Sequence, residues 1–120
     1  MLPDRIKRVE ELVKENVAFI IQRKVKDPRL GFVTITDVEV SRDLRNAKVF
    51  FTLHDESEEN MRETSEALEA ASGFIRRVLG KRIELRHLPT LNFIYDNSLT
   101  RANRIENILK EIKTEEKPEE

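Results

Sequence analysis

Ser65 to Asp96 reads SEALEAASGFIRRVLGKRIELRHLPTLNFIYD. It predicts a helix, a break at Ala71-Ser72-Gly73, a second helix and a short apolar strand. Before the break Met61, Leu68 and Ala71 fall at helical spacing, with Ala67 beside them; after it Phe74, Ile75, Val78, Leu79 and Ile83 do the same. Glycine inside a helix costs about 0.8–1.0 kcal/mol relative to alanine, so Gly73 needs a reason. One reason is a left-handed turn that ends one helix and opens the next, leaving free backbone N–H groups that suit a phosphate. A kink kept small for packing alone is the competing reading.

Charge favours the first reading. Phe74 to Arg104 carries seven bases (Arg76, Arg77, Lys81, Arg82, Arg86, Arg101 and Arg104) against Glu84 and Asp96, a local net of +5. Arg76, Arg77 and Lys81 share roughly one flank of the second helix. A solvated helix face normally mixes both signs, and this one barely does.

Working outward, the overall charge of −1 conceals segregation. Met1 to Arg29 has eight bases and five acids, Leu53 to Ala70 seven acids and one base, and Glu111 to Glu120 five acids and two bases. A basic face opposed by an acidic one orients an encounter with a polyanion. The 120 residues fit one domain with a single modest core. With no cysteine, disulfides, thiolate metal sites and cysteine nucleophiles are excluded. No apolar run is long enough to span a membrane, and acids interrupt the N-terminal apolar residues, so a cytoplasmic protein without a signal peptide is expected.

The first helix opens at Pro3 or Asp4 and carries Ile6, Val9, Leu12, Val13, Val17, Ile20 and Ile21 on one stripe. Asp27-Pro28-Arg29-Leu30-Gly31 stops it. Phe32 to Val40 alternates as a strand whose parity shifts, which a β-bulge near Thr36-Asp37 reconciles. A polar turn holding Arg42 and Arg45 leads to a second strand, Ala47 to Leu53, and the pair forms an antiparallel hairpin against the first helix. Ser57 is a candidate cap for the central helix. Leu91 to Tyr95 is a third strand, and Ala102 to Ile112 a final helix. Residues 1–113 form the domain, and 114–120 are a charged tail expected to be disordered.

No catalytic constellation is present. His54 and His87 stand alone as surface residues, and no HExxH, phosphate-binding loop, nucleophile elbow or metal cluster occurs. No enzyme activity, metal or cofactor is expected.

The order α-β-β-α-α-β is that of K-homology RNA-binding domains, in the bacterial (type II) arrangement, which clamp RNA through a GXXG loop between two helices. That loop cannot exist here, because Gly31, Gly73 and Gly80 are the only glycines and no two are three apart. Ala71-Ser72-Gly73 stands in its place. With KDPRLGFVTITDVEVSRDL (Lys26 to Leu44), AKVFFTL (Ala47 to Leu53), EAASGFIRRVLGKRIELRHLPTLNFIYDNS (Glu69 to Ser98) and RIENIL (Arg104 to Leu109), the chain resembles the ribosome-binding factor A family over nearly its whole length.

The resemblance implies an α+β, K-homology-like domain: three strands packed on helices, an interhelical kink at Ala71, Ser72 and Gly73, and a C-terminal helix. It implies a non-catalytic factor that binds the free small ribosomal subunit and its rRNA. Such a factor assists late maturation, including 5′-end processing, and matters most in the cold. Ribosomal proteins or assembly GTPases are further expected partners, and a monomer is expected because each apolar face has an internal partner. From charge, Arg76, Arg77, Lys81, Arg82 and Arg86 are expected to meet phosphates, with Arg42, Arg45, Arg101 and Arg104 as outer contacts. Binding is expected to be led by shape, since Phe32, Phe51 and Phe93 are assigned to the core and only Phe50, Phe74 and Tyr95 are left in question. Two rivals remain. One is a protein-interaction module on the same scaffold without RNA contact. The other is an RNA-cleaving enzyme, which the missing carboxylate cluster argues against.

Overall fold

Three strands and two long helices position everything that follows. The computed structural model describes residues 3–30, 32–97, 102 and 105–110. The first helix, α1 (Pro3–Arg23), buries Val13, Val17, Ile20 and Ile21, with Ile6 and Val9 half-buried and Leu12 at the exposed margin of the stripe. At its end the amides of Lys24 and Val25 both donate to the Ile20 carbonyl, at 2.8 and 3.1 Å. The chain then enters a 3-10 turn at Pro28–Leu30, whose Leu30 is buried.

Strands β1 (Val33–Val40) and β2 (Asn46–Leu53) form the antiparallel hairpin, with Val33 opposite Leu53 and Val40 opposite Ala47. The register slips between Ile35 and Asp37, so the expected bulge is present. It puts Ile35, Val38 and Val40 on the buried face despite their different parity. The bulge residue Thr36 donates its hydroxyl to buried Asp96 at 2.7 Å, and the Asp96 amide donates to the Phe51 carbonyl at 2.7 Å. Strand β3 (Thr90–Tyr95) runs parallel to β2, Thr90 beside Asn46 and Tyr95 beside Phe51, giving the order β1-β2-β3. On β1, the Val40 amide donates to Glu10 on α1 and the Val38 amide to Asp37, each at 2.9 Å.

The central helix departs from expectation. It is one uninterrupted α-helix, α2 (Glu58–Arg82), with no second helix beginning after Gly73. Gly73 does not have positive φ. The free N–H groups expected at a new helix start are therefore absent, and that route to phosphate is withdrawn. Packing explains the continuity. Thr64, Leu68, Ile75 and Leu79 are fully buried and Ala71 half-buried, all on one helical stripe that stays in phase only if the helix continues. Burying a leucine or isoleucine side chain is worth about 1.5–3 kcal/mol, which outweighs the glycine cost of about 1 kcal/mol. The small residues leave one local mark: Ser72 donates its hydroxyl to the Glu69 carbonyl at 2.8 Å, a bond of the kind by which serine bends helices.

Ser57 caps α2 as expected, its side chain accepting from the Asn60 amide at 3.2 Å. Glu58 and Glu59 occupy the first turn and Lys81 and Arg82 the last, matching the helix dipole. Residues 105–110 are helical, as the final apolar pattern predicts. Its apolar side chains are not covered: Ile105, Ile108 and Leu109 are all more than half exposed. The reason given for expecting a monomer thus does not hold here. The charged tail lies outside the described residues.

Candidate nucleic-acid interface

Because β3 is parallel to β2 in this register, the residues before both strands lie at the same end of the sheet. These are the hairpin turn before β2 and the loop 83–89 before β3. The Thr90 amide donates to the Arg45 carbonyl at 2.8 Å and ties the two together. The C-terminal half of α2 runs into that loop. Fold topology thus gathers Arg42, Arg45, Arg76, Arg77, Lys81, Arg82 and Arg86 toward one end of the molecule, all exposed. Of the acids between Leu53 and Ala70, those around the start of α2 fall toward the other, while Glu69 sits midway along the helix.

The basic side chains are not equivalent. Arg76 donates its Nε to the Pro89 carbonyl at 3.1 Å and a terminal nitrogen to the Leu88 carbonyl at 2.9 Å, so it holds the loop onto α2. Arg82 donates its Nε to Asn16 Oδ1 at 2.9 Å and lies 4.1 Å above the centroid of the Phe19 ring, joining α2 to α1. Both guanidiniums build the surface as well as charging it. Arg77, Lys81 and Arg86 project from it. The hairpin turn is rigidly built. Ser41 donates to Asp43 at 2.6 Å, and Asp43 accepts the Arg45 amide at 3.1 Å. The Ser41 hydroxyl bond, then the Arg45 amide, hold the Asp43 carboxyl below its ordinary value. Leu44 sits at φ 61° within this turn.

Within α2, Ala71 packs against the core, Gly73 is exposed, and Ser72 lines a groove shared with β3. Ser65, Glu69, Ser72, Leu91, Asn92 and Phe93 line it, and its volume is about 270 Å³. A Cβ on Gly73 would meet nothing closer than the Arg77 guanidinium, at 3.6 Å. Gly73 thus bares helix backbone beside a cation, a place where a ligand backbone can approach closely. Gly80 is different: a Cβ there would come within 3.0 Å of Leu88, so this glycine lets the loop fold back on the helix.

Sequence reasoning found the basic end but missed the groove, in which Asn92 carries no charge to signal it. It also could not separate Arg76 and Arg82 from Arg77 and Lys81. The aromatic assignments need correcting. Phe32, assigned to the core, is 79% exposed, because it lies one residue before β1 and escapes the strand's alternation. Phe50, left in question, is only 2% exposed, beside Ile94 on β3. Phe51 is buried, with Tyr95 edge-on at 5.6 Å, while Phe93 is half-buried and Phe74 exposed. Arg101 and Arg104 lie outside the described residues. His54 and His87 are both exposed. Among the described residues no group of three histidine, aspartate or glutamate side chains is placed to hold a metal, and no helix is long and apolar enough to cross a membrane.

Comparison with known proteins gives a consistent result. The family model described as ribosome-binding factor A matches residues 5–109. A ribosome-binding factor A of Halothermothrix orenii is 47% identical over 116 residues, covering 97% of this chain and 94% of the relative. The crystal structure of ribosome-binding factor A from Thermus thermophilus superposes with a TM-score of 0.67 at 29% identity, over 81% of this chain and 97% of that one. A homology model of the Thermus thermophilus factor, fitted into a cryo-EM map of its complex with the 30S subunit, matches with a TM-score of 0.61 at 30% identity, over 72% of this chain and 90% of that one.

Proposed function

The chain belongs to the ribosome-binding factor A family, and from that membership we propose that it is a non-catalytic assembly factor that binds the free small ribosomal subunit through its rRNA. The observation that carries this reading is the end of the molecule where the hairpin turn, loop 83–89 and the C-terminal half of α2 present exposed Arg77, Lys81 and Arg86. Arg42 and Arg45 flank them on the turn. Duplex and structured RNA are read largely through backbone and shape, which suits a cationic surface with few free aromatic rings.

In this reading Arg77, Lys81 and Arg86 neutralise phosphates. The bare backbone at Gly73 lets an RNA strand approach the groove beside Asn92. Arg76 and Arg82 keep the loop and the two helices in register, so their cations sit at fixed positions. Arg101 and Arg104 extend the same charge in sequence. As a member of its family, the factor acts late in small-subunit maturation, with 5′-end processing of the rRNA and growth in the cold as the processes that depend on it.

The test is sedimentation of tagged protein through a sucrose gradient of cell lysate. Co-migration with free small subunits and their precursors, but not with full ribosomes, is the expected outcome. Protein remaining at the top at low salt would reject the proposal. A variant with Arg77, Lys81 and Arg86 changed to alanine should lose co-migration while unfolding at the same urea concentration as the parent.

A further inference from the structure

At the acidic end of the molecule Phe32 stands as a ridge between two depressions of about 350 and 420 Å³, with Leu53 and His54 in the walls of both. The His54 ring lies 6.2 Å away, tilted at 51°. An aromatic side chain left 79% exposed beside two hollows is a standing loss of hydrophobic stabilisation unless something covers it.

The surroundings say what kind of molecule that is. Among the described residues that line the two depressions Arg29 is the one lysine or arginine, and it is already occupied: its Nε and a terminal nitrogen grip Asp27 at 2.8–3.2 Å. Asp55 and Glu63 line the first depression, and Glu66 lies within electrostatic reach of Arg29 beside Glu63. With Arg29 paired to Asp27, Asp55 and Glu63 are the charges left in the lining of the first depression, beside an open aromatic face. Phosphate is repelled by that field. A guanidinium is attracted by it, and can stack on Phe32 while its fork meets a carboxylate.

We propose that the Phe32 ridge and its acidic rim dock an arginine-bearing segment of a basic protein of the small subunit. The molecule is then two-ended, with RNA taken at the Arg77 end and a cationic polypeptide at the Phe32 end. The proposal rests on the small-subunit reading above, and the experiment separates the two.

The photoreactive residue p-benzoylphenylalanine replaces Phe32 in one variant and Lys81 in another, each in the full chain, and both are irradiated on purified small subunits. Adducts are treated with nuclease and identified by mass spectrometry. The expected result is an adduct from position 32 with a subunit protein, within an arginine- or lysine-rich segment, and an rRNA adduct from position 81. Adding Glu63→Lys and Glu66→Lys should cut the position-32 yield about tenfold, since like charges across an interface repel strongly, and leave the position-81 yield unchanged. An rRNA adduct at position 32, a protein adduct indifferent to the charge reversals, or none while position 81 still reacts, overturns the proposal and leaves the RNA reading standing. No adduct from either position overturns both.

Discussion

Gly73 and Gly80 lie on the same helix, yet a methyl group meets only the Arg77 guanidinium, at an ordinary 3.6 Å, at the first and comes within 3.0 Å of Leu88 at the second. Gly73→Ala should therefore raise stability by about 0.8–1.0 kcal/mol in urea unfolding, while weakening co-sedimentation with small subunits by obstructing the close approach. Gly80→Ala should show no such gain, because Leu88 must move to admit it. The neighbours Arg76 and Arg77 divide in the same way. Arg76→Ala strands two carbonyls of the loop and should cost about 1 kcal/mol; Arg77→Ala should leave the unfolding midpoint in place and weaken binding. None of this is legible from spacing. Two adjacent arginines look alike until the loop twelve residues on returns to one of them. Phe32 left the core to which it was assigned, and Phe50, left in question, proved buried; where a strand starts and what covers its second face are settled by pairing and packing rather than by local pattern.

Among the elements, the hairpin, the bulge and the apolar stripe of α1 were all legible, because period and parity are written directly in the residues. The continuity of α2 was not read: the glycine argued locally for a break, while the common phase of Thr64, Leu68, Ala71, Ile75 and Leu79 on the buried stripe holds one helix together. The link between α1 and β1 gives a prediction in pH. Burial pushes the Glu10 carboxyl above its ordinary value, with the Val40 amide opposing the shift. Folded protein then binds the Glu10 proton more tightly than unfolded chain does. Its contribution favours folding below the unfolded value of 4.5 and is lost as pH rises through the raised folded value. Glu10→Gln should flatten the decline in stability just above pH 4.5, measured by urea unfolding at successive pH values. Asp27 works in the opposite sense. The Arg29 side-chain bonds, then the Arg29 amide, hold it below its usual 3.8, so Asp27→Asn should matter above that pH and cease to matter as acid titrates the pair.

For the molecule as a whole, α2 acts as a spacer. Its 25 residues carry acid at one end and base at the other, about 37 Å apart at 1.5 Å rise per residue. The part of the salt dependence that comes from phosphate contacts should therefore belong to the basic end. Changing Arg77, Lys81 and Arg86 to alanine should reduce the slope of log affinity against log salt by about 2–3 units, at roughly 0.7–0.9 per lost phosphate contact. Strand β1, one of the two outer strands of the sheet, carries a different consequence. A β-edge with bare amides is a template on which identical chains can add, strand upon strand, into fibres. Here Glu10 and Asp37 already hold the Val40 and Val38 amides. A second chain arriving at this end of β1 finds those donors taken and a carboxylate in its path, so this edge is a poor template for a shared sheet.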